Sequence, residues 1–167
     1  MIVADATPLI HLTRSGHLDL LPRLYERVVI PMSVRDESFG GSESRPETEA
    51  LRSVSKSWLE ARALSAAERK ASEALRRGAP VGRGEADAIA LAASLRTVVL
   101  MDDQVAVGLA RMKGLETRWT TSVVLEAHRR GILDRIGARR AIEDLVGAGL
   151  WVRQDALLRI LAILREG

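Results

Sequence analysis

The sequence contains no cysteine, few aromatic residues and no long apolar run. Without cysteine, disulfides, thiolate zinc sites and a cysteine nucleophile are excluded. Three Trp, one Tyr and one Phe make aromatic base-stacking platforms unexpected, and Trp151, beside Gly149 and Leu150, is expected in the core. No apolar run approaches the ~18 residues that span a bilayer, and Asp5 lies where a signal peptide would be basic. We therefore expect a soluble, cytoplasmic protein.

The composition that remains is that of an ordinary globular protein. Of 167 residues, 47% are hydrophobic and 28% are charged, with a net charge of +3. This length predicts a single domain over residues 1–167. The sequence pI near 9.9 permits an anionic partner but does not demonstrate one, because the excess of basic residues is small.

Short apolar runs alternate with helical patterns along the chain. The predicted strands cover residues 2–4, 28–30 and 97–101, with a shorter strand reaching 119 and a strand or turn within 58–64. Thr7 is expected to cap the first helix, with Pro8 at its first position. This alternation predicts an α/β protein with a parallel sheet flanked by helices on both faces. Ligands bind such sheets outside the carboxyl ends of the strands.

Acidic residues gather where the predicted strands end. They are Asp5 after the first strand, Glu37 near the end of the second, Glu85 and Asp87 in the first turn of a later helix, and Asp102 and Asp103 after the strongest strand. Carboxylates brought together repel one another and resist ionisation. A hard divalent cation relieves that repulsion, and oxygen ligands favour Mg²⁺ or Mn²⁺ over zinc. The four locations together indicate a metal site.

Each of these acids also has a structural explanation. Helix N-terminal turns are stabilised by Asp through the helix dipole, which suffices for Asp87 and for one of Asp102 and Asp103. Glu37 taken alone fits a solvated helix face. Glu85 and Asp87 are two residues apart, so they point to nearly opposite faces of a helix. Both cannot easily bind one metal, and we expect Glu85 to be the ligand and Asp87 to stabilise the helix.

The ordered motifs resemble those of PIN-domain ribonucleases, most closely the prokaryotic group related to VapC toxins. They are the segments 3–10, 84–92 and 100–103 together with Glu37, and the resemblance covers about residues 1–130. It implies a three-layer PIN-like fold, with C-terminal helices over about 131–167, and RNA cleavage dependent on Mg²⁺ or Mn²⁺. It also implies a homodimer and a cognate antitoxin protein.

The same resemblance assigns roles residue by residue. The first acid falls on Asp5 with the nearby hydroxyl of Thr7, the second on Glu37, and the third on Glu85 or Asp87. The fourth falls on Asp103 with Asp102 adjacent. The sequence departs from the family where the third acid is usually Asp. It departs again at 119–122, where Trp119, Thr120 and Thr121 precede Ser122 in place of a Gly-Thr-x-Gly-like segment.

Other readings of the sequence remain beside the nuclease. A haloacid-dehalogenase-like phosphatase is disfavoured, because it needs an Asp two residues after Asp5 and this chain has Thr7 there. A receiver domain is disfavoured too, because it needs paired acids early and a late Lys, which this Lys-poor chain does not offer. A PIN-like RNA- or protein-binding module with a decayed metal site is the non-enzymatic alternative. His11, His17 and His128 share no ligand spacing. A C-terminal apolar stripe that includes Leu157 and Leu164 is explained by either core packing or a dimer interface.

Overall fold

Five short strands form a parallel sheet in the computed structural model, which describes residues 1–42, 44–55 and 57–166. The strands are β1 (Ile2–Ala4), β2 (Val28–Pro31), β3 (Leu59–Arg62), β4 (Val99–Leu100) and β5 (Thr117–Arg118). Their order across the sheet is β3-β2-β1-β4-β5, and every pair is parallel. The predicted α/β class is confirmed.

Helices connect the strands and cover both faces of the sheet. Within the described residues they are α1 (Ala6–Arg14), α2 (Leu20–Tyr25), α3 (Met32–Phe39), α4 (Pro46–Val54), α5 (Ala66–Gly78), α6 (Arg83–Leu95), α7 (Gln104–Met112), α8 (Thr120–Arg129), α9 (Arg135–Gly147) and α10 (Gln154–Glu166). None of the helices in this part of the chain is long and apolar enough to cross a membrane.

The alternation of side chains along β1 and β4 separates two aliphatic cores. Ile2, Ala4 and Leu100 belong to the core beneath α1–α4 and α8–α10. Val3 and Val99 belong to the core beneath α5, α6 and α7. Successive side chains of a strand point to opposite faces, so even these very short strands contribute to both layers. The result is the predicted three-layer arrangement.

Several elements begin or end elsewhere than the sequence predicts. Asp5, not Thr7, occupies the N-cap position of α1, because the Asp5 N–H still donates to Leu100 at the end of the sheet and the helix follows at once. The helix α6 begins at Arg83 instead of Glu85, because the Glu85 carboxylate accepts from the Gly82 N–H at 2.6 Å and extends the helix backward.

Candidate active site

The order in which strands are added to the sheet reverses between β1 and β4, and the site lies at this point. From β1 the chain adds β2 and β3 on one side, then crosses to add β4 and β5 on the other. In open α/β sheets such a switch point leaves a crevice at the carboxyl ends of the two strands. Asp5 directly follows β1 and Asp102 follows β4 by two residues, so the topology brings both acids to this crevice.

Asp5 is a buried acid in strongly unfavourable surroundings for a charge. Its residue is 3% exposed. The pKa of Asp5 is raised from 3.8 to about 7, and burial is the largest cause. The Ala6 N–H lowers the pKa, whereas charge repulsion from Glu85, Glu37 and Asp102 contributes to the rise. Asp5 is therefore the centre of a group of four acids that the fold assembles from β1, α3, α6 and the segment after β4.

Gly84 allows two of these acids to approach each other. A Cβ atom at position 84 would lie 2.9 Å from Oε2 of Glu37 and 3.5 Å from Oδ1 of Asp5. Any side chain at this position therefore displaces the Glu37 carboxylate. Glu37 is more exposed than Asp5, and its pKa is raised first by desolvation and then by repulsion from Glu85.

Glu85 faces this group but is held by the backbone of its own helix. Its Oε2 accepts the 2.6 Å hydrogen bond from Gly82, one turn back. Glu85 is nonetheless close enough to raise the pKa values of both Asp5 and Glu37. It thus contributes negative charge to the site while one of its oxygens caps α6.

The two adjacent acids after β4 have different surroundings. Asp102 accepts from the N–H of Thr120 at 2.9 Å and from its hydroxyl at 2.6 Å. Burial raises the pKa of Asp102, while the bonds from Thr120 and the nearby His11 lower it. Asp103 is exposed and accepts from the Ala106 N–H at 2.8 Å as the N-cap of α7. The structure thus brings Asp102, rather than Asp103, toward Asp5.

Asp87 lies outside the group, on the side of α6 that faces α5. Its residue is 7% exposed, and its two oxygens accept from the hydroxyls of Ser72 at 2.5 Å and Ser33 at 2.6 Å. The Arg83 guanidinium is 3.7 Å away. Both oxygens are therefore occupied by donors of the protein, in contrast to Glu85 two residues earlier.

The supporting residues differ in how they reach the site. Thr120 is fully buried and holds Asp102 through both of its donors. The Thr7 carbonyl lies 3.0 Å from Nδ1 of His11 one turn later, so it is the Thr7 backbone that contacts this histidine. His11 is assigned no role from the sequence, although it lies one turn after Thr7 in α1 and this spacing places both residues on the same face of the helix.

The arrangement offers an oxygen-rich group without a preformed metal cage. No three acidic or histidine side chains of residues 1–42, 44–55 and 57–166 come together in a geometry that holds a metal ion. The chemistry of the donors still fits a hard divalent cation, because a nearly buried carboxylate with three acidic neighbours is what such a cation stabilises.

A three-layer α/β fold with an acidic group at its switch point defines a class of protein in which nucleases are common. The sequence model of the family DUF3368, described as a PIN domain, matches residues 1–166. The chain therefore belongs to the PIN-domain family, whose fold is of the nuclease type and whose members typically use divalent metals. The predicted PIN-domain family is confirmed, and the closer grouping with VapC toxins stays a prediction. No curated protein matches the chain.

Proposed function

We propose that this protein is a metal-dependent ribonuclease that hydrolyses RNA phosphodiester bonds at the site around Asp5. The observation that carries the proposal is the nearly buried Asp5 carboxyl, whose pKa rises to about 7 through desolvation and three acidic neighbours. A protein does not need such an arrangement for stability, since it penalises the charged form of a core carboxyl. In a metal site the same clustered carboxylates are useful, because a bound divalent cation offsets their repulsion.

The residues that would hold Mg²⁺ or Mn²⁺ are Asp5, Glu37, Glu85 and Asp102. All four offer oxygen ligands, which these ions prefer. When bound, the metal supplies an activated water and neutralises charge that develops on the phosphoryl oxygens. Asp102 is oriented for this role by Thr120, which occupies one lone pair on each carboxylate oxygen and leaves the others free.

Glu37 is suited to accept a proton from the attacking water. It is the most exposed of the four acids, and its raised pKa improves it as a base near neutral pH. Glu37 also sits beside Gly84 without a side chain between it and Asp5. Its carboxylate can therefore reach a water held at the site, whereas Asp5 is too enclosed to exchange protons directly with solvent.

Arg83 is suited to bind a phosphate that flanks the bond. Its side chain is 74% exposed at the start of α6, and its ion pair with Asp87 is long at 3.7 Å. A guanidinium in this position offers bidentate contacts to a phosphate. Since Gly84 follows directly, this phosphate would lie close to the acids.

The toxin role, the homodimer and the cognate antitoxin stay predictions, as does a cytoplasmic location. Self-association is supported by α10, where Ile160 and Leu164 are buried against the core while Leu158 and Ile163 are 60% and 55% exposed. The apolar stripe expected from the sequence thus has one half packed in the core and one half exposed to solvent, where another protein surface can cover it. A second copy of the chain is the occupant we propose, and sedimentation velocity at micromolar concentration tests it.

The test of the proposed function is cleavage of a structured RNA with Mn²⁺, with EDTA, and by matched variants. Glu37→Gln is paired with Asp36→Asn, since Asp36 is the adjacent exposed acid and its carboxylate accepts from the neighbouring Arg35. We expect cleavage that needs Mn²⁺ and is lost in Glu37→Gln but not in Asp36→Asn. Cleavage unaffected by EDTA contradicts the proposal. RNA binding without cleavage, and without thermal stabilisation by Mn²⁺, favours the decayed binding module instead.

A further inference from the structure

A cavity of about 290 Å³ lies directly beside Asp102. Two of the three tryptophans of the chain, Trp119 and Trp151, line it together with Gln104, Thr121 and Arg153. Its volume is near the lower end of the ~300–1,000 Å³ that small-molecule sites have. Such a cavity accommodates one planar group and is too small for a packed element of another protein.

Trp151 presents an exposed indole from a fixed backbone. The sequence predicts this residue in the core, but it is 75% exposed, so that prediction is wrong. Its neighbour Leu150 is 5% exposed instead, because the turn at Gly149, with φ +97°, directs Leu150 inward and the next side chain outward. Val152 also packs against the core. The backbone that carries the ring is thus anchored by buried Leu150 on one side and by partly buried Val152 on the other.

Trp119 ties the cavity to the acidic site. It directly precedes Thr120, whose N–H and hydroxyl hold Asp102. Its ring packs partly against the core under α5–α7, which fixes its position. A group bound between Trp119 and Trp151 is therefore adjacent to the carboxylate that we assign to the metal.

The charges of the lining favour a neutral occupant. The Arg153 guanidinium donates to Asp155 at 3.1 Å, so its charge is balanced within the lining. Asp102 and Asp155 are both in the wall and repel an anion. A phosphate is disfavoured here, whereas a neutral aromatic ring gains stacking with an indole.

We propose that this cavity binds one unpaired nucleobase of the RNA, beside the phosphodiester bond that is cleaved. Trp151 provides the stacking surface, and the side chains of Gln104 and Thr121 provide hydrogen-bonding groups for the base edges. This inference rests on the proposed ribonuclease function and adds a base-binding subsite, formed by this cavity, beside the acidic group. A few aromatic residues suffice for such a subsite when the fold brings two of them together.

The experiment measures affinity for short single-stranded RNAs, with Ca²⁺ in place of Mn²⁺ to suppress cleavage. One abasic position is moved along the RNA, and each RNA is titrated against wild type, Trp151→Ala and Trp151→Phe. We expect Trp151→Ala to weaken binding by about 5- to 150-fold, as the loss of one stacked base does. At one position, removal of the base should lower the RNA affinity of the wild type by a similar factor. The same abasic RNA should not lower the affinity of Trp151→Ala any further, because the stacking contact is already lost. Trp151→Phe keeps most of the affinity.

Met112→Ala is the matched control, since Met112 is 84% exposed and lies outside the cavity. It removes exposed apolar surface and leaves affinity unchanged. If wild type cleaves RNA but the abasic penalty is equal in wild type and Trp151→Ala, the cavity assignment is overturned and the ribonuclease stands. If wild type neither binds nor cleaves RNA, both are overturned. Smaller sedimenting species in Trp151→Ala, with RNA affinity unchanged, assign the cavity to a contact between copies and overturn the proposal.

Discussion

Asp5 and Asp87 are both nearly buried acids, yet the fold treats them in opposite ways. Asp87 receives hydroxyl hydrogen bonds on both oxygens, from Ser33 and Ser72. Asp5 receives instead three acidic neighbours and a pKa of about 7. The comparison separates a carboxylate that the protein satisfies for itself from one that it leaves to be satisfied by something else. Burial alone does not distinguish a structural acid from a functional one, but the nature of its partners does.

The comparison predicts first that Asp5→Asn removes activity without removing the fold. Asn keeps the size of the side chain but cannot supply the negative charge that a metal requires. We expect Mn²⁺-dependent cleavage to fall by about 1,000-fold or more, while circular dichroism is unchanged. Full activity in this variant contradicts the assignment of Asp5.

The second prediction concerns the stability of the metal-free protein as a function of pH. The pKa of Asp5 in the folded protein is raised from 3.8 to about 7. The contribution of Asp5 to the free energy of unfolding is therefore fully present below pH 4 and is lost as the pH rises toward 7. Since one pKa unit corresponds to about 1.4 kcal/mol, Asp5→Asn should gain up to ~4 kcal/mol over wild type between pH 4 and 7.5. Chemical denaturation in EDTA measures this difference. If the difference in stability between wild type and Asp5→Asn does not change with pH, the raised pKa of Asp5 is contradicted.

Asp87→Ala is expected to show the reverse pattern, a loss of stability. The substitution leaves the Ser72 hydroxyl, in a residue 3% exposed, without its acceptor. We expect the free energy of unfolding to drop by about 2–4 kcal/mol. Asp36→Ala, at an exposed acid of α3, serves as the control and should change it by less than about 0.5 kcal/mol. Thermal stabilisation by Mn²⁺ should be the same in Asp87→Ala as in wild type.

Glu85 and Asp87 sharpen the comparison within one helix. Glu85→Gln keeps an oxygen that can accept from Gly82 but removes the charge, so we expect about 100-fold less cleavage with little change in stability. Asp87→Asn should mainly lower stability. If the Asp87 variant is inactive and Glu85→Gln cleaves normally, the third acid has been assigned to the wrong residue.

Gly84→Ala is the smallest change and the most selective. Ala normally stabilises a helix relative to Gly by about 0.5–1 kcal/mol, but here its Cβ would lie 2.9 Å from Oε2 of Glu37. The flexible Glu37 side chain moves away, so we expect about tenfold less cleavage and equal or greater thermal stability. Gly78→Ala, where a Cβ meets nothing within 4 Å, is the control. Normal activity in Gly84→Ala would show that the position of Glu37 does not matter.

Much of the fold was accessible from the sequence because its local signals agree with one another. The apolar runs at 2–4 and 28–30 correspond to β1 and β2. The boundaries were less accessible. Thr7 was favoured as the N-cap because Pro8 follows it, but the residue that takes the position depends on where β1 stops pairing with β4, a long-range contact.

The order of the acidic motifs, the absence of cysteine and the alternation of strands and helices were determined by the sequence alone, because each depends on residue type and local spacing. Only the tertiary structure distinguishes the surroundings of Asp102 from those of Asp103, those of Glu85 from those of Asp87, and a surface from a core position for Trp151. Residues one or two apart point their side chains in different directions, and local spacing does not say which direction faces the site or the core. Contacts between distant segments decide it: Thr120 holds Asp102, and Ser33 and Ser72 hold Asp87.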